Sequence, residues 1–393
     1  MRFKEYVNPW NQKVFNETFD ILTNNTLSRA ELNYENGEYK NIHYGDVLIK
    51  FPAHIDTSSP DVPYINDENA SKKFDSALLH NGDIVFADTA EDYAVGKATE
   101  IEITAECKVV SGLHTIPCRP KMRFSPRYLG YFVNSPKYHN QLIPYIQGVK
   151  VSSISKTLIK NTTISYPSLE EQTKIASFLS CLDEKIAVQN KIIEDLKVLK
   201  KELCNKVFSS SEYVRLGDYI TEITTRNKAN SCDNVLSVSN KMGFIKQSEQ
   251  FEDRTVASED KRNYKVVSEG CFAYNPARIN VGSIALLETQ KVGIISPMYV
   301  CFKTSNELIA DYLKFYYQSA IFFKELHKKL EGSVRQCLTY ENMCEIQIPY
   351  VNVEQQRKIA TALKGFATRI VLEEQYLRAL QRQKAYFLNA MFI

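Results

Sequence analysis

An internal repeat constrains this chain more than any other feature of its sequence. Residues 169–208 align without a gap on residues 353–392, at a constant offset of 184 in the numbering. The identical pairs include Glu170 and Glu354, Gln172 and Gln356, Lys174 and Lys358, Ile175 and Ile359, Ala176 and Ala360, Leu179 and Leu363, Ile186 and Ile370, Leu196 and Leu380, Lys200 and Lys384, and Asn205 and Asn389. A weaker match with small gaps relates 82–86 to 270–274. Because such self-similarity indicates a repeated structural unit, we predict a tandem duplication of a globular part followed by a helical part.

Each copy of the aligned segment carries apolar residues at alternating steps of four and three. Such spacing over more than three heptads is typical of a coiled coil, so 169–209 and 353–393 are predicted to be long spacer helices. At ~1.5 Å per residue they would form a rod about 60 Å long, paired antiparallel by the pseudo-twofold symmetry of the duplication. The polar residues at matched heptad positions are expected to fix the register. They are Gln189 with Glu373 and Lys200 with Lys384.

The other segments, 1–168 and 210–352, are rich in strand patterns interrupted by turn residues, with a polar break at 209–211. The predicted strands include 46–51, 83–86 and 298–302, and the predicted helices lie at 126–142 and 308–329. We therefore expect an α+β protein with two mixed α/β domains that have β-rich cores, separated by the two long helices.

Composition narrows the class of protein. The 393 residues are 44% hydrophobic and 24% charged, which excludes a disordered chain. A formal net charge of +3 means that any positive surface for nucleic acid must be local. The nine Cys lack zinc spacing and are interpreted as buried thiols in a reducing cytoplasm. No signal peptide and no stretch of ~20 apolar residues is present, so we expect a cytoplasmic location without a membrane partner.

Residues that could perform catalysis do not form a recognisable pattern. Asn275-Pro276 is similar to the start of the Asn-Pro-Pro-aromatic signature of amino-methyltransferases, but Ala277 and Arg278 replace the second proline and the aromatic residue. No Gly-rich turn between a strand and a helix is available for a nucleotide-like cofactor. The six His show no spacing for a metal or a catalytic triad. The chain is therefore expected to be non-catalytic, without a cofactor or metal.

Loops near the predicted strands contain the planar and polar residues that contact bases and phosphates. The candidate DNA-binding residues of the first domain are Arg29, Asn33, His43, Tyr44, Lys97, Gln147 and Lys150. Those of the second domain are Lys241, Tyr274, Arg278, Asn280, Ser283, Arg335 and Gln336. Lys150 and Arg335 lie in matched loops that follow Gly148 and Gly332, so the duplication supports this pair of loops more than any single residue.

The chain resembles the specificity subunits of type I restriction-modification systems along essentially its whole length. The most diagnostic segments are the two Glu-x-Gln-x-Lys-Ile-Ala helix starts at Glu170 and Glu354. Further matching segments are 41–48, 82–86, 111–115, 280–284 and 296–300. The second copy departs from the first at 366–370, which differs from 182–186, and at Val351, which replaces Pro167. These departures put identical helix-end contacts in doubt.

The resemblance implies a non-catalytic DNA reader. Each of its two target-recognition domains would read half of a bipartite, asymmetric target in double-stranded DNA, and the helices would set the unread gap. Two modification subunits would dock on the helices, bind S-adenosylmethionine and methylate adenine. Restriction subunits would add the nuclease and translocase that use ATP and Mg²⁺.

An alternative interpretation is a coiled-coil adaptor that binds protein and does not recognise DNA. Salt distinguishes the two, because DNA binding through phosphates weakens with a log-log slope near −0.9 per neutralised phosphate. An adaptor would have no duplex affinity to titrate.

Overall fold

A computed structural model describes residues 2–67, 72–104, 107–148, 150–209, 212–240, 242–250, 260–288, 290–331 and 336–393. The chain forms two compact units. The first contains Met1–Asn190 and Tyr376–Ile393, and the second contains Lys191–Gln375. Because both boundaries fall inside long helices, each of these helices contributes residues to both units.

The first unit is rich in strands. These are β1 (Asn11–Val14), β2 (Phe19–Ile21), β3 (Leu32–Asn33), β4 (Tyr39–Ile42), β5 (His54–Asp56), β6 (Tyr64–Ile65), β7 (Ile84–Ala87), β8 (Thr89–Ala90), β9 (Ala98–Glu102), β10 (Lys108–Ser111), β11 (Thr115–Pro120), β12 (Ser152–Ser153) and β13 (Thr163–Tyr166). They form a five-stranded sheet of order β2-β11-β7-β9-β5, a four-stranded sheet of order β10-β4-β6-β3, and the pairs β1-β13 and β12-β8. Neighbours are antiparallel except β5 with β9 and β4 with β10.

The second unit repeats much of this plan. Its strands are β14 (Tyr213–Arg215), β15 (Ile220–Glu222), β16 (Val235–Ser239), β17 (Gly243–Lys246), β18 (Lys265–Ser268), β19 (Cys271–Tyr274), β20 (Ile284–Leu286), β21 (Val292–Ile295), β22 (Val300–Thr304) and β23 (Gln347–Pro349). The sheet order β15-β22-β19-β20 matches β2-β11-β7-β9, and the pair β14-β23 matches β1-β13. A second sheet has the order β17-β16-β21-β18. The repeated strand order confirms the duplication.

Helices in the β-rich parts are short, whereas two others are long. The short helices are α1 (Phe15–Thr18), α2 (Tyr44–Ile49), α3 (Tyr128–Val133), α4 (Pro136–Leu142), α6 (Gln247–Gln250), α7 (Ala310–Tyr316), α8 (Ala320–Lys329) and α9 (Tyr340–Cys344). The long helices are α5 (Leu169–Val207) and α10 (Val353–Ala390). Together with the strands they make the predicted α+β fold.

Contacts within the first unit fix the direction of the long helices. The ring of Phe178 lies 4.8 Å from that of Phe387, and Asp183 forms an ion pair of 2.5 Å with Lys384. Because a later residue of α5 meets an earlier residue of α10, the two helices pack antiparallel, as predicted.

The lysines that interrupt the heptads also contact the β-rich parts. In the first unit, Lys384 Nζ lies 5.9 Å from the centre of the Tyr131 ring. In the second unit, Lys200 Nζ lies 5.6 Å from the Phe315 ring. The offset of the repeat relates the two lysines to each other and the two aromatic residues to each other. The lysine positions therefore attach the helices to their domains as well as interrupting the apolar stripe.

The predicted helical segments each contain two helices and a break. Ser135 and Ser319, which the same offset relates, are the N-caps of α4 and α8, and their hydroxyls accept hydrogen bonds from Tyr138 N–H and Phe322 N–H. A serine cap supplies one of the acceptors that the first turn of a helix lacks. The predicted strands 83–86 and 298–302 correspond to β7 and β22.

The prediction of a strand at 46–51 is wrong, because these residues belong largely to α2. His43 precedes the helix, and its Nδ1 accepts a hydrogen bond from Gly45 N–H at 3.2 Å. Val47 is buried, whereas Ile49 is 84% exposed. An apolar run of this length fits a strand or a helix equally well, and the side-chain cap favours the helix here.

The prediction that the cysteines are buried holds for only part of the set. All nine are free thiols, but only Cys118, Cys204, Cys271 and Cys301 are buried, and Cys181 is exposed on α5. A surface position on a long helix tolerates a thiol without packing around it, which composition could not reveal.

Candidate nucleic-acid interface

Helix α2 places several predicted residues of the first domain together. Arg29 Nη1 donates to Asp46 Oδ2 at 2.8 Å and to the Tyr34 hydroxyl at 2.9 Å. Lys50 Nζ lies 3.6 Å from the other carboxylate oxygen of Asp46 and donates to the Tyr34 hydroxyl at 2.9 Å. The Asp46 side chain is 1% exposed, whereas those of Arg29 and Lys50 are 44% and 42% exposed. A buried carboxylate therefore supports two exposed cations.

Three aromatic rings adjoin these cations, and one of the three, that of His43, is buried. The rings of His43 and Tyr44 lie 4.7 Å apart, and the ring of His114 lies 5.3 Å from Tyr44. His114 Nδ1 is 3.3 Å from an Asp88 carboxylate oxygen. Burial, followed by the nearby Arg29 charge, lowers the pKa of His43, so its imidazole is neutral at pH 7. We call Arg29, Tyr34, His43, Tyr44, Lys50 and His114 the α2 cluster.

Sequence reasoning selected Arg29, His43 and Tyr44 but missed three members of the α2 cluster. Two of the missed residues are recognisable in retrospect. Lys50 follows Asp46 by four residues, the spacing of an ion pair on a helix, but this signal was hidden by the prediction of a strand. His114 lies in the segment 111–115 that carries the family resemblance, whereas Tyr34 has no comparable signal.

The other predicted residues of the first domain have varied surroundings. Lys97 Nζ donates to the Leu48 carbonyl at the end of α2 at 2.8 Å, and burial, with Lys384 as the second cause, lowers its pKa. Asn33 bonds to Asn66 across the end of β3. Gln147 and Lys150 are exposed in a loop, and Val149 between them lies outside the described residues.

In the second domain, two of the predicted residues are buried. The Tyr274 side chain is fully buried in the core, and its hydroxyl donates to the Thr339 carbonyl at 3.0 Å. Burial raises the pKa of this phenol well above its usual value. Ser283 is 4% exposed and donates to the Val238 carbonyl at 3.3 Å. Both side chains therefore support the shape of the loop that connects β19 and β20.

The remaining predicted residues of the second domain lie at or near the surface. Arg278 is exposed and precedes the 3-10 turn Ile279–Val281, and Asn280 is half-buried within that turn. Gln336 is exposed, and Leu338 N–H two residues later donates to the Pro276 carbonyl at 3.1 Å. This backbone bond brings the Gln336 segment beside the Arg278 loop. Lys241, Arg335 and the other residues of 332–335 lie outside the described residues.

Comparison with known protein families identifies the chain. A family model described as the type I restriction modification DNA specificity domain matches residues 8–198 and again residues 205–382. This chain belongs to that family. It is a specificity subunit, which recognises DNA targets within a type I restriction-modification complex and is not catalytic. The assignment decides against the adaptor interpretation.

Individual relatives are consistent with the family. A Methanocaldococcus jannaschii protein assigned as the MjaX type I restriction enzyme specificity subunit is 26% identical over 338 residues, covering 79% of this chain and 77% of the relative. The MjaVIII specificity subunit from the same organism is 24% identical over 278 residues, covering 62% of this chain and 64% of the relative. The second match therefore spans just under two thirds of that relative.

Solved structures support the fold of this specificity subunit. The crystal structure of the type I system S subunit from M. genitalium has a TM-score of 0.58 at 14% identity and covers 99% of this chain and 98% of its own. A chain from a structural study of type I complex assembly and conformational transition has a TM-score of 0.56 at 17% identity, with coverage of 97% and 96%. At these identities the likeness concerns the fold alone.

The family carries no cofactor. Across the described residues, no group of three or more His, Cys, Asp and Glu side chains is placed to hold a metal ion. Within the same part of the chain, no helix is long and apolar enough to cross a membrane.

Proposed function

We propose that this specificity subunit reads a bipartite, asymmetric target in double-stranded DNA, with residues 1–168 reading one half and residues 210–352 the other. The observation that carries the proposal is a repeated scaffold with different surfaces. The order β2-β11-β7-β9 recurs as β15-β22-β19-β20, but among the described residues the α2 cluster of the first unit has no counterpart around Arg278 in the second. A shared scaffold with different surfaces suits a target whose halves differ in sequence.

The proposed base and phosphate contacts come from the candidates other than Tyr274 and Ser283. In the first domain these are Arg29, Asn33, His43, Tyr44, Lys97, Gln147 and Lys150, and in the second they are Lys241, Arg278, Asn280, Arg335 and Gln336. Tyr274 and Ser283 would act indirectly, by holding the loop that carries Arg278. Since the net charge is only +3, partner subunits would supply further phosphate contacts.

The helical segments 169–209 and 353–393 are proposed to set the unread gap and to dock two modification subunits. Exposed apolar side chains on both helices support a docking role, and within the second unit they are Val198, Leu199, Val371 and Leu372, each at least half exposed. The docked subunits would bind S-adenosylmethionine and methylate adenine. Restriction subunits would add ATP- and Mg²⁺-dependent cleavage, and the complex would work in the cytoplasm, where the DNA lies.

An adenine-methylation map tests the proposal. This chain is expressed with its modification subunits in a host that lacks adenine methylation, and the methylated positions of the genome are sequenced. A single motif with two specified parts and an unspecified gap is the expected result. A continuous motif, or methylation without any motif, would contradict the proposal.

A change in helix length tests the spacer role separately. Removing one heptad from each helix shortens the antiparallel pair by about 10 Å, equivalent to about three base pairs at 3.4 Å per step. We expect the two specified parts to stay the same and the gap to become shorter. An unchanged gap would contradict the assignment of the helices. The control replaces seven exposed residues of the helices with alanine, which leaves the length of the helices unchanged.

A further inference from the structure

Arg29 is a constrained cation on the described surface of the first unit. Its Nη1 donates to Asp46 at 2.8 Å and to the Tyr34 hydroxyl at 2.9 Å, and its Nη2 lies 3.5 Å from His43 Nδ1. An arginine on a surface usually samples many rotamers, and ordering a side chain of this length opposes binding by about 2 kcal/mol of rotamer entropy. Here three neighbours order the guanidinium before any ligand arrives.

These contacts leave one edge of the guanidinium available. Nη1 has two hydrogens, and Asp46 and Tyr34 accept one each, so that side of the fork is occupied. Nε and the adjacent Nη2 hydrogen have no partner among the described residues. The free edge therefore carries two parallel N–H donors, the arrangement that binds two acceptors at once.

His43 reinforces this arrangement. Its Nδ1 accepts the Gly45 N–H at 3.2 Å, so the neutral ring carries its proton on Nε2. Nδ1 carries no proton and therefore does not repel the guanidinium that lies 3.5 Å away.

We propose that the free edge of Arg29 reads a guanine in the half-site of the first domain, and that Asp46 is the positioning residue that fixes this edge. Guanine N7 and O6 are two adjacent acceptors in the major groove, and bidentate arginine is the commonest contact to them. Lys50, whose ammonium group lies near the same carboxylate, is assigned a contact with a DNA phosphate. The inference rests on the proposed function, since it requires DNA at this surface.

A fixed orientation is what distinguishes base reading from phosphate binding. A phosphate accepts hydrogen bonds from many directions, so a mobile lysine is sufficient for it. A base edge is read only by donors at set positions. The burial of Asp46 to 1% exposure beneath two cations therefore serves to fix geometry, because a surface carboxylate would neutralise the same charge.

The experiment is the adenine-methylation map of the assembled complex, repeated for three variants. Arg29→Lys keeps the charge and removes the fork, so we expect discrimination at one guanine position, in one half of the motif only, to fall about tenfold or more. Asp46→Asn frees the guanidinium and should relax the same position to a smaller degree. Lys50→Ala should lower methylation at all sites and leave the motif unchanged. Lys13→Ala, an exposed cation on β1, is the matched control and should change neither.

The other half of the motif is an internal check on folding, since a misfolded subunit would lose both. A two-part motif that stays unchanged in Arg29→Lys would overturn this inference and leave the proposed function intact. A uniform loss of methylation in the same variant would have the same consequence, because it would indicate a phosphate contact. A wild-type complex without a two-part motif would overturn the proposed function and this inference with it.

Discussion

The two units hold their long helices in the same way and differ in what they present at the surface. In the first unit, the buried Gln172 accepts a hydrogen bond from Ser125 N–H and donates to the Pro167 carbonyl, both at 2.9 Å. Gln356, its counterpart in the repeat, makes the same two bonds at 2.8 and 2.9 Å. Both bonds use backbone groups, so they are insensitive to the side chains of the partners.

This insensitivity explains a departure between the two copies. Val351 replaces Pro167, and Ile309 replaces Ser125, yet the helix starts keep these two bonds because only a carbonyl and an N–H are required. The doubt that the substitution raised about the helix ends is therefore removed for this pair of bonds. A scaffold of this kind requires the glutamine and leaves its neighbours free to vary.

The largest expected effect comes from the aromatic residues that follow the long helices. Phe392 lies 5.8 Å from the ring of Tyr128 and 5.6 Å from that of Phe132, and Phe208 contacts the two equivalent aromatic residues of the second unit. Either Phe→Ala change should destabilise its own unit by about 3 to 5 kcal/mol. Hydrogen exchange should rise in the first unit for Phe392→Ala and in the second for Phe208→Ala. Equal loss of protection in both units by either variant would contradict the comparison.

The repeated glutamines give the next largest effect. Gln172→Ala and Gln356→Ala each leave a buried N–H and a carbonyl without a side-chain partner, which costs about 2 to 4 kcal/mol for the two groups together. Because Gln356 also donates to the Glu307 carbonyl at 3.0 Å, its variant should lose about 1 kcal/mol more than Gln172→Ala in urea titrations. Gln355→Ala, on the exposed neighbour of Gln356, is the control and should stay within about 0.5 kcal/mol of wild type. A smaller loss in Gln356→Ala than in Gln172→Ala would contradict the shared role of the two glutamines.

The sequence predicted the scaffold better than the surface, for a physical reason. Heptad spacing and the constant offset of the repeat are local or periodic signals, so both long helices could be predicted from them. The burial of Tyr274 depends on β19 lying between β22 and β20, which are pairings distant in sequence. A buried tyrosine in a central strand and a tyrosine that stacks on a base have the same local sequence signature.

The failed strand prediction at 46–51 has a local origin. Six residues are too few for a period to be read, and the cap by His43 is a side-chain contact that a propensity pattern does not contain. This short helix matters for the candidate site, because it sets Asp46 and Lys50 one turn apart on one face. The residues that sequence reasoning missed are therefore those whose neighbours depend on that helix.

Because of a buried glutamate in the first unit, we expect the stability of the two units to depend differently on pH. Glu100 lies opposite Ile84 in the β7-β9 ladder, and at the equivalent place opposite Phe272 the second unit has Leu286. Burial raises the pKa of Glu100 from 4.5 to about 7, although its carboxylate accepts hydrogen bonds from Arg127 N–H and Gly130 N–H.

Since the folded pKa of Glu100 is raised, its contribution to stability is fully present below pH 4.5 and is lost as the pH rises through 7. The first unit should therefore lose up to about 3 kcal/mol between these pH values, and the second unit should not share this loss. Glu100→Gln should flatten the dependence, at the expense of one acceptor for the two N–H groups. Unfolding followed by hydrogen exchange in each unit at pH 5, 6, 7 and 8 measures both slopes. Parallel slopes in wild type would contradict the assignment to Glu100.

The smallest predicted effect concerns a single tyrosine hydrogen bond that occurs in both units. The Tyr128 hydroxyl donates to the Ser165 carbonyl at 3.0 Å, and the hydroxyl of Tyr312, its counterpart in the second unit, donates to the Pro349 carbonyl at 2.9 Å. Tyr→Phe at either position keeps the ring packing and removes one buried hydrogen bond, so each unit should lose about 1 kcal/mol. The double variant should lose the sum, because the two bonds share no partner. Tyr213→Phe, at a residue that is 44% exposed, should have no measurable effect. A loss of stability in only one of the two variants would show that the units share a fold but are not stabilised by the same hydrogen bond.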